Sequence, residues 1–320
     1  MVAGGGTMER AELQAPDLSG WRAGNTGIPA VTSFTASEPG PHVVVSALMH
    51  GNELSGAHAV DALLRAGVRP RRGRLTFALC NLAAFDRFDP MAPAMSRFVD
   101  EDMNRIWSPS LLEGARQSAE LRRARELRPL FDTADLVLDL HSMQHESPPL
   151  TLCGRTARGR ELGRALGEPG WVVADAGHLA GPRLIDYGRF SDPEGRAAAI
   201  LVECGQHWNP RSAEYALRVA ARFLAVTGCV AAEDLAPWLP PDAPAPPRVV
   251  EVTEAVTVGS DRFRFTDDFR GMEIIPRAGT VIANDGDHPV RTSYDDCILI
   301  MPSKRLYRGQ TAVRLGRLVG

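Results

Sequence analysis

Short apolar runs alternate with longer amphipathic stretches between residues 42 and 230, the pattern of a β-sheet covered by helices. The strand-like runs are 42–49 (HVVVSALM), 74–81 (RLTFALCN), 136–142 (LVLDLHS), 149–154 (PLTLCG), 171–176 (WVVADA) and 198–205 (AAILVECG). Helical spacing of apolar positions predicts helices over 54–67, 118–134, 156–167 and 211–228, the last closed by Gly228 as a C-terminal cap. Residues 236–248, APWLPPDAPAPPR, can form neither helix nor central strand and read as a stiff linker. Beyond it come seven short β-like runs, from VVEVTEAVTV to TAVRLGRLV, punctuated by Gly, Pro, Asn and Asp. The expected division is a flexible N-terminus (1–20), an α/β catalytic domain (21–235), the linker (236–248) and a small all-β C-terminal domain (249–320).

Composition adds exclusions. The 320 residues are 44% hydrophobic and 23% charged, ordinary for a globular chain with a substantial core. A net charge of −3 gives no electrostatic case for nucleic acid or an anionic membrane as a partner. The five cysteines are scattered without a CxxC pair, which points to free thiols in a reducing compartment. No signal-peptide pattern and no run long enough for a membrane span is found, so the expected location is the cytoplasm.

Candidate chemistry gathers where apolar runs end. His50 and Glu53, in MHGNE, follow the first strong strand, and His141 closes LVLDLHS. Two histidines and a carboxylate beyond central strands supply three protein ligands for a catalytic zinc and leave a fourth position open. Asp139, two residues before His141 on the same strand face, suits the partner that orients a ligand histidine. Glu203 ends the apolar run of AAILVECG, so it is either solvated in a cleft or raised in pKa for proton transfer. Nearby His207 suits a structural or rim role as well as a catalytic one. In SRFVDEDMNRIW, Arg97 and Arg105 either pair with Asp100, Glu101 and Asp102 or, with Asn104, face an anionic substrate.

Taken together, HGNE, RFVDEDMNR, VLDLHS and VECG resemble, in order and approximate spacing, the aspartoacylase and succinylglutamate desuccinylase family, relatives of the zinc carboxypeptidases. The resemblance covers roughly residues 40–215 and implies a zinc-carboxypeptidase-like mixed β-sheet flanked by helices, with a C-terminal β domain as a lid. It implies one zinc per chain on His50, Glu53 and His141, Glu203 as the base that activates water, and Arg97 polarising the scissile carbonyl. Asn104 and Arg105 would hold a substrate carboxylate, and a further arginine before the catalytic glutamate is expected among Arg183, Arg189 and Arg196, with Arg196 nearest in sequence. CNLAAF replaces the Asn-Pro usual after the family's second strand. The implied reaction is hydrolysis of the amide of a small anionic N-acyl amino acid. Alternatives are a zinc carboxypeptidase acting on peptides and a catalytically silent binding protein of the same fold. Homo-oligomerisation is left open.

Overall fold

Val43, Val44 and Val45 are β-branched and fully buried, so the strand that carries them must be covered on both faces. That strand, His42–Ala47 (β2), lies near the centre of a sheet in the computed structural model, which describes residues 11–319. It follows an edge strand, Val31–Thr35 (β1), and precedes Arg74–Leu79 (β3), Leu136–Met143 (β4), Leu150–Leu152 (β5), Trp171–Ala174 (β6) and Ala198–Gln206 (β7). The C-terminal part adds Arg248–Thr257 (β8), Phe263–Phe265 (β9), Ile274–Ile275 (β10), Val281–Asp285 (β11), His288–Arg291 (β12), Cys297–Ile300 (β13) and Thr311–Leu318 (β14). Eleven of these form one mixed sheet in the order β1-β3-β2-β4-β7-β5-β6-β8-β14-β13-β10, and β12-β11-β9 form a small antiparallel sheet.

The helices are Leu54–Arg65 (α1), Leu82–Phe85 (α2), Pro109–Leu112 (α3), Ala119–Thr133 (α4), Ala157–Leu166 (α5), Pro210–Val226 (α6) and Ala232–Leu235 (α7). Ser118, Thr156 and Asn209 each cap a helix, accepting from Leu121, Gly159 and Arg211 N–H respectively. Gly228 has φ +64° just past α6, where an L side chain would be strained. One core packs α1 and α6 against the sheet, and a second packs α4 against the opposite face. No helix among the described residues is long and apolar enough to cross a membrane.

Every strand and long helix expected from the apolar pattern is present, but β1 is an addition. Only Val31 of VTSFT is fully buried, so an edge strand of this kind leaves little apolar signal. The Pro-rich stretch does not interrupt the sheet, because β8 pairs in parallel with β6 as soon as it ends. Val250, Ile298 and Ile300 then join the same core as α4. Of the segment expected to be flexible, residues 1–10 lie outside the described residues, while Leu13 and Leu18 are buried against the first core.

Candidate metal centre and active site

The parallel neighbours β2, β4 and β7 all end on one side of the sheet, so residues just beyond them converge. In the β4–β7 register His141 stands directly opposite Glu203. His50 reaches the same point through a turn after β2, and Glu53 stands just before the first residue of α1 without capping it. Leu48, buried in that turn, has φ +58°, a left-handed conformation that costs a non-glycine residue about 1–2 kcal/mol. Gly51 is dictated by space: a Cβ there would come within 2.4 Å of the Ala84 and Phe85 backbone. The HGNE motif thus needs its glycine for close approach, so that the flanking His and Glu can turn back to the sheet.

His50, Glu53 and His141 offer donor atoms that all lie within 4.8 Å of one another, and all three are buried. Glu53 Oε1 is 2.7 Å from His50 Nδ1, and Oε2 is 2.9 Å from His141 Nδ1. The other ring nitrogens are engaged as ligand histidines require: His141 Nε2 lies 2.8 Å from Asp139 Oδ2, and His50 Nε2 lies 2.8 Å from Asp102 Oδ1. Asp139 is itself held, because its register partner Ser46 donates to its other oxygen at 2.7 Å. Two imidazoles and a carboxylate with their outer partners in place fit a zinc ion by donor chemistry. Sequence spacing found Asp139 but not Asp102, which reaches His50 from a different segment.

Burial alone would push Glu53 up, but the adjacent His50 and His141 hold it well below the usual carboxylate range. Glu203 differs in direction: burial, then the nearby Glu53 charge, pushes it up to about 8. Its Oε2 is buried and has no hydrogen-bond partner. An unpartnered buried carboxyl oxygen facing the donor set is disposed toward a ligand's proton. Arg97 approaches the same carboxylates, donating to Asp102 Oδ2 at 2.9 Å and to Glu53 Oε1 at 3.3 Å. His207, pushed down to about 3 chiefly by burial, sits 2.8 Å through Nδ1 from Ser142 Oγ.

These groups line a cavity of about 270 Å³ that also takes Asn104 and Arg105 from the chain before α3. The opposite wall comes from the C-terminal region, including Phe269, Arg270, Met301 and Arg314. Asn104 is buried with its side-chain oxygen committed to Leu184 N–H at 2.9 Å, so its amide nitrogen is what it can offer a ligand. Of the three arginines expected before Glu203, only Arg183 lines the cavity. Arg196 is exposed on the loop entering β7 and does not line the cavity. Arg189 is exposed beside Asp135, and Arg183, although at the cavity wall, is locked in forks to Asp175 and Asp186. Arg196 is near Glu203 in sequence but precedes the start of β7, at the opposite end of the strand from Glu203.

A mixed α/β sheet with a His-Glu-His donor set at its strand ends defines the class of protein. Comparison with known proteins agrees with the motifs: residues 39–165 match the succinylglutamate desuccinylase/aspartoacylase catalytic domain, so the resemblance holds. Mouse aspartoacylase is 31% identical over 121 residues, a stretch spanning 35% of this chain and 37% of the mouse protein. The succinylglutamate desuccinylase of Vibrio parahaemolyticus superposes with a TM-score of 0.65 at 20% identity, over 91% of this chain and 86% of its own. A succinylglutamate desuccinylase/aspartoacylase of Rhodobacter sphaeroides gives 0.64 at 20% identity, over 97% and 94%. The matched segment carries His50, Glu53 and His141 but stops short of Glu203 and the C-terminal cavity wall.

Proposed function

We propose that this chain is a zinc-dependent deacylase, with one zinc per chain, that hydrolyses the amide of a small carboxylated N-acyl amino acid. The observation that carries this reading is the meeting, in one cavity, of a His-Glu-His donor set and a buried glutamate oxygen without a partner. Zinc held by His50, Glu53 and His141 would supply Lewis-acid polarisation of the carbonyl and a lowered pKa for water, to about 7. Glu203 takes the proton from the attacking water and returns it to the leaving nitrogen, so that acid and amine separate. Its raised pKa suits it to hold that proton between the two transfers. Arg97 donates hydrogen bonds to the developing oxyanion, and Asn104 and Arg105 orient the substrate carboxylate. The cavity wall supplied by the C-terminal region favours a small substrate over a long peptide, which supports a deacylase over a carboxypeptidase.

The test is release of free amine from a panel of N-acetyl and N-succinyl amino acids by zinc-loaded protein. Turnover of at least one member is expected, and its absence across the panel removes the reading.

A further inference from the structure

Arg314 reaches the cavity from β14, more than two hundred residues after Arg105 in the chain. The β8–β14 ladder is irregular on both sides of it, with register shifts between Thr311 and Val313 and between Leu315 and Gly316. Between those shifts residues 313–315 pair regularly with β8, so strand alternation puts Arg314 on the cavity side while Val313 and Leu315 are buried in the C-terminal core. Among the described residues the Arg314 side chain makes no hydrogen bond or ion pair, and its nearest acidic influences, Asp175 and Asp186, are already committed to Arg183. Arg105 is in a similar condition: its side chain's one hydrogen bond goes to the Asn104 carbonyl, and it pairs with no carboxylate.

The two cations sense each other. Burial pulls Arg105 below its usual value, and the Arg97, Arg183 and Arg314 charges add to that effect against Asp102. His178, also at the cavity wall, is pushed down to about 3 by burial and then by Arg105 and Arg314, so it stays neutral between them. Half-burying two guanidinium groups at one cavity without carboxylate partners is costly unless a ligand supplies the negative charge.

We propose that Arg314 is the second arm of a carboxylate clamp, closing on the same substrate carboxylate as Arg105 and setting specificity for an anionic substrate. The proposal rests on the deacylase reading for the substrate's identity, but not for its charge. The C-terminal strand then does more than wall the cavity, because it completes the recognition site from the far end of the sheet.

The test measures binding rather than turnover, using calorimetric titration of the zinc-loaded Glu203→Gln protein with N-acetyl-L-alanine and with its carboxamide. In that background Arg314→Gln should weaken the acid at least tenfold and leave the carboxamide within twofold. Arg314→Lys should recover part of the loss, and Arg317→Gln, on the exposed face of the same strand, should change neither. Zinc content equal to that of the parent confirms an intact site. Equal weakening of both probes, or no weakening of either, overturns the clamp. A carboxylate-dependent loss with no amine release from any panel substrate supports the clamp while removing the deacylase reading.

Discussion

Glu203 and Asp139 are both buried carboxylates on neighbouring strands, yet their partners give them opposite uses. Asp139 is saturated by Ser46 and His141, whereas Glu203 keeps one oxygen unpartnered and is raised in pKa. Glu203→Gln should therefore keep its zinc and lose turnover by about 10²–10⁴, since the amide cannot accept a proton. Metal analysis alongside kcat checks this, and near-normal kcat would make Glu203 structural. His50→Ala and His141→Ala should each lose the metal if the proposed site holds one, because each removes one of three candidate ligands. Asp139→Asn should weaken zinc affinity by about 10–100-fold, as loss of an orienting partner does. A chelator competition titration reads the difference, and unchanged affinity would show that strand packing alone orients His141.

At the scale of the element, α1 decides whether Glu53 points at the two histidines. Its first turn lies so close to the sheet that a Cβ on Gly56 would fall 2.8 Å from Leu140 Cβ and 2.9 Å from Ala47 Cβ. In an exposed helix Gly→Ala gains about 1 kcal/mol of propensity. Here overpacking, at about 1–3 kcal/mol, should outweigh it and displace the helix start. Gly56→Ala is expected to lower the urea midpoint and weaken zinc binding together. A stabilised variant with native zinc affinity would mean that α1 can shift without moving Glu53.

For the whole molecule, His42 links stability to pH from a position remote from the cavity. It is buried at the start of β2, with Nε2 2.9 Å from Thr76 Oγ1, and burial, then the Arg74 charge, pushes it down to about 4. Its unfolded value is about 6.5, so between those limits the unfolded chain binds more protons than the native one. This contribution is complete above about pH 6.5, falls as the pH drops toward 4, and then levels off. His42→Gln should flatten that part of the curve in urea titrations at several pH values. An unchanged slope would assign the acid sensitivity to other groups.

The strands and long helices were legible because buried parallel strands are written as unbroken apolar runs, and the capped helices carry their end signals locally. So were His50, Glu53, Asp139, His141 and Glu203, since a polar residue closing an apolar strand marks the end where ligands gather in an α/β sheet. The edge strand β1 was not, having too little burial to leave a pattern. Nor could spacing show that Asp102 would reach His50, that Arg183 would be spent on two aspartates, or that Arg196 would point to solvent. Those outcomes depend on which loops meet across the strand ends. The wall with Arg314 depends on more still, because β8 must pair with β6 and β14 with β8 in the register that sets Arg314 on the cavity side. A sequence records what each segment will bury, and this chain's candidate donors are legible as polar residues just past such segments. Which charges find partners and which are left facing the cavity is decided by contacts between segments far apart in the chain, where only the assembled sheet sets the distances.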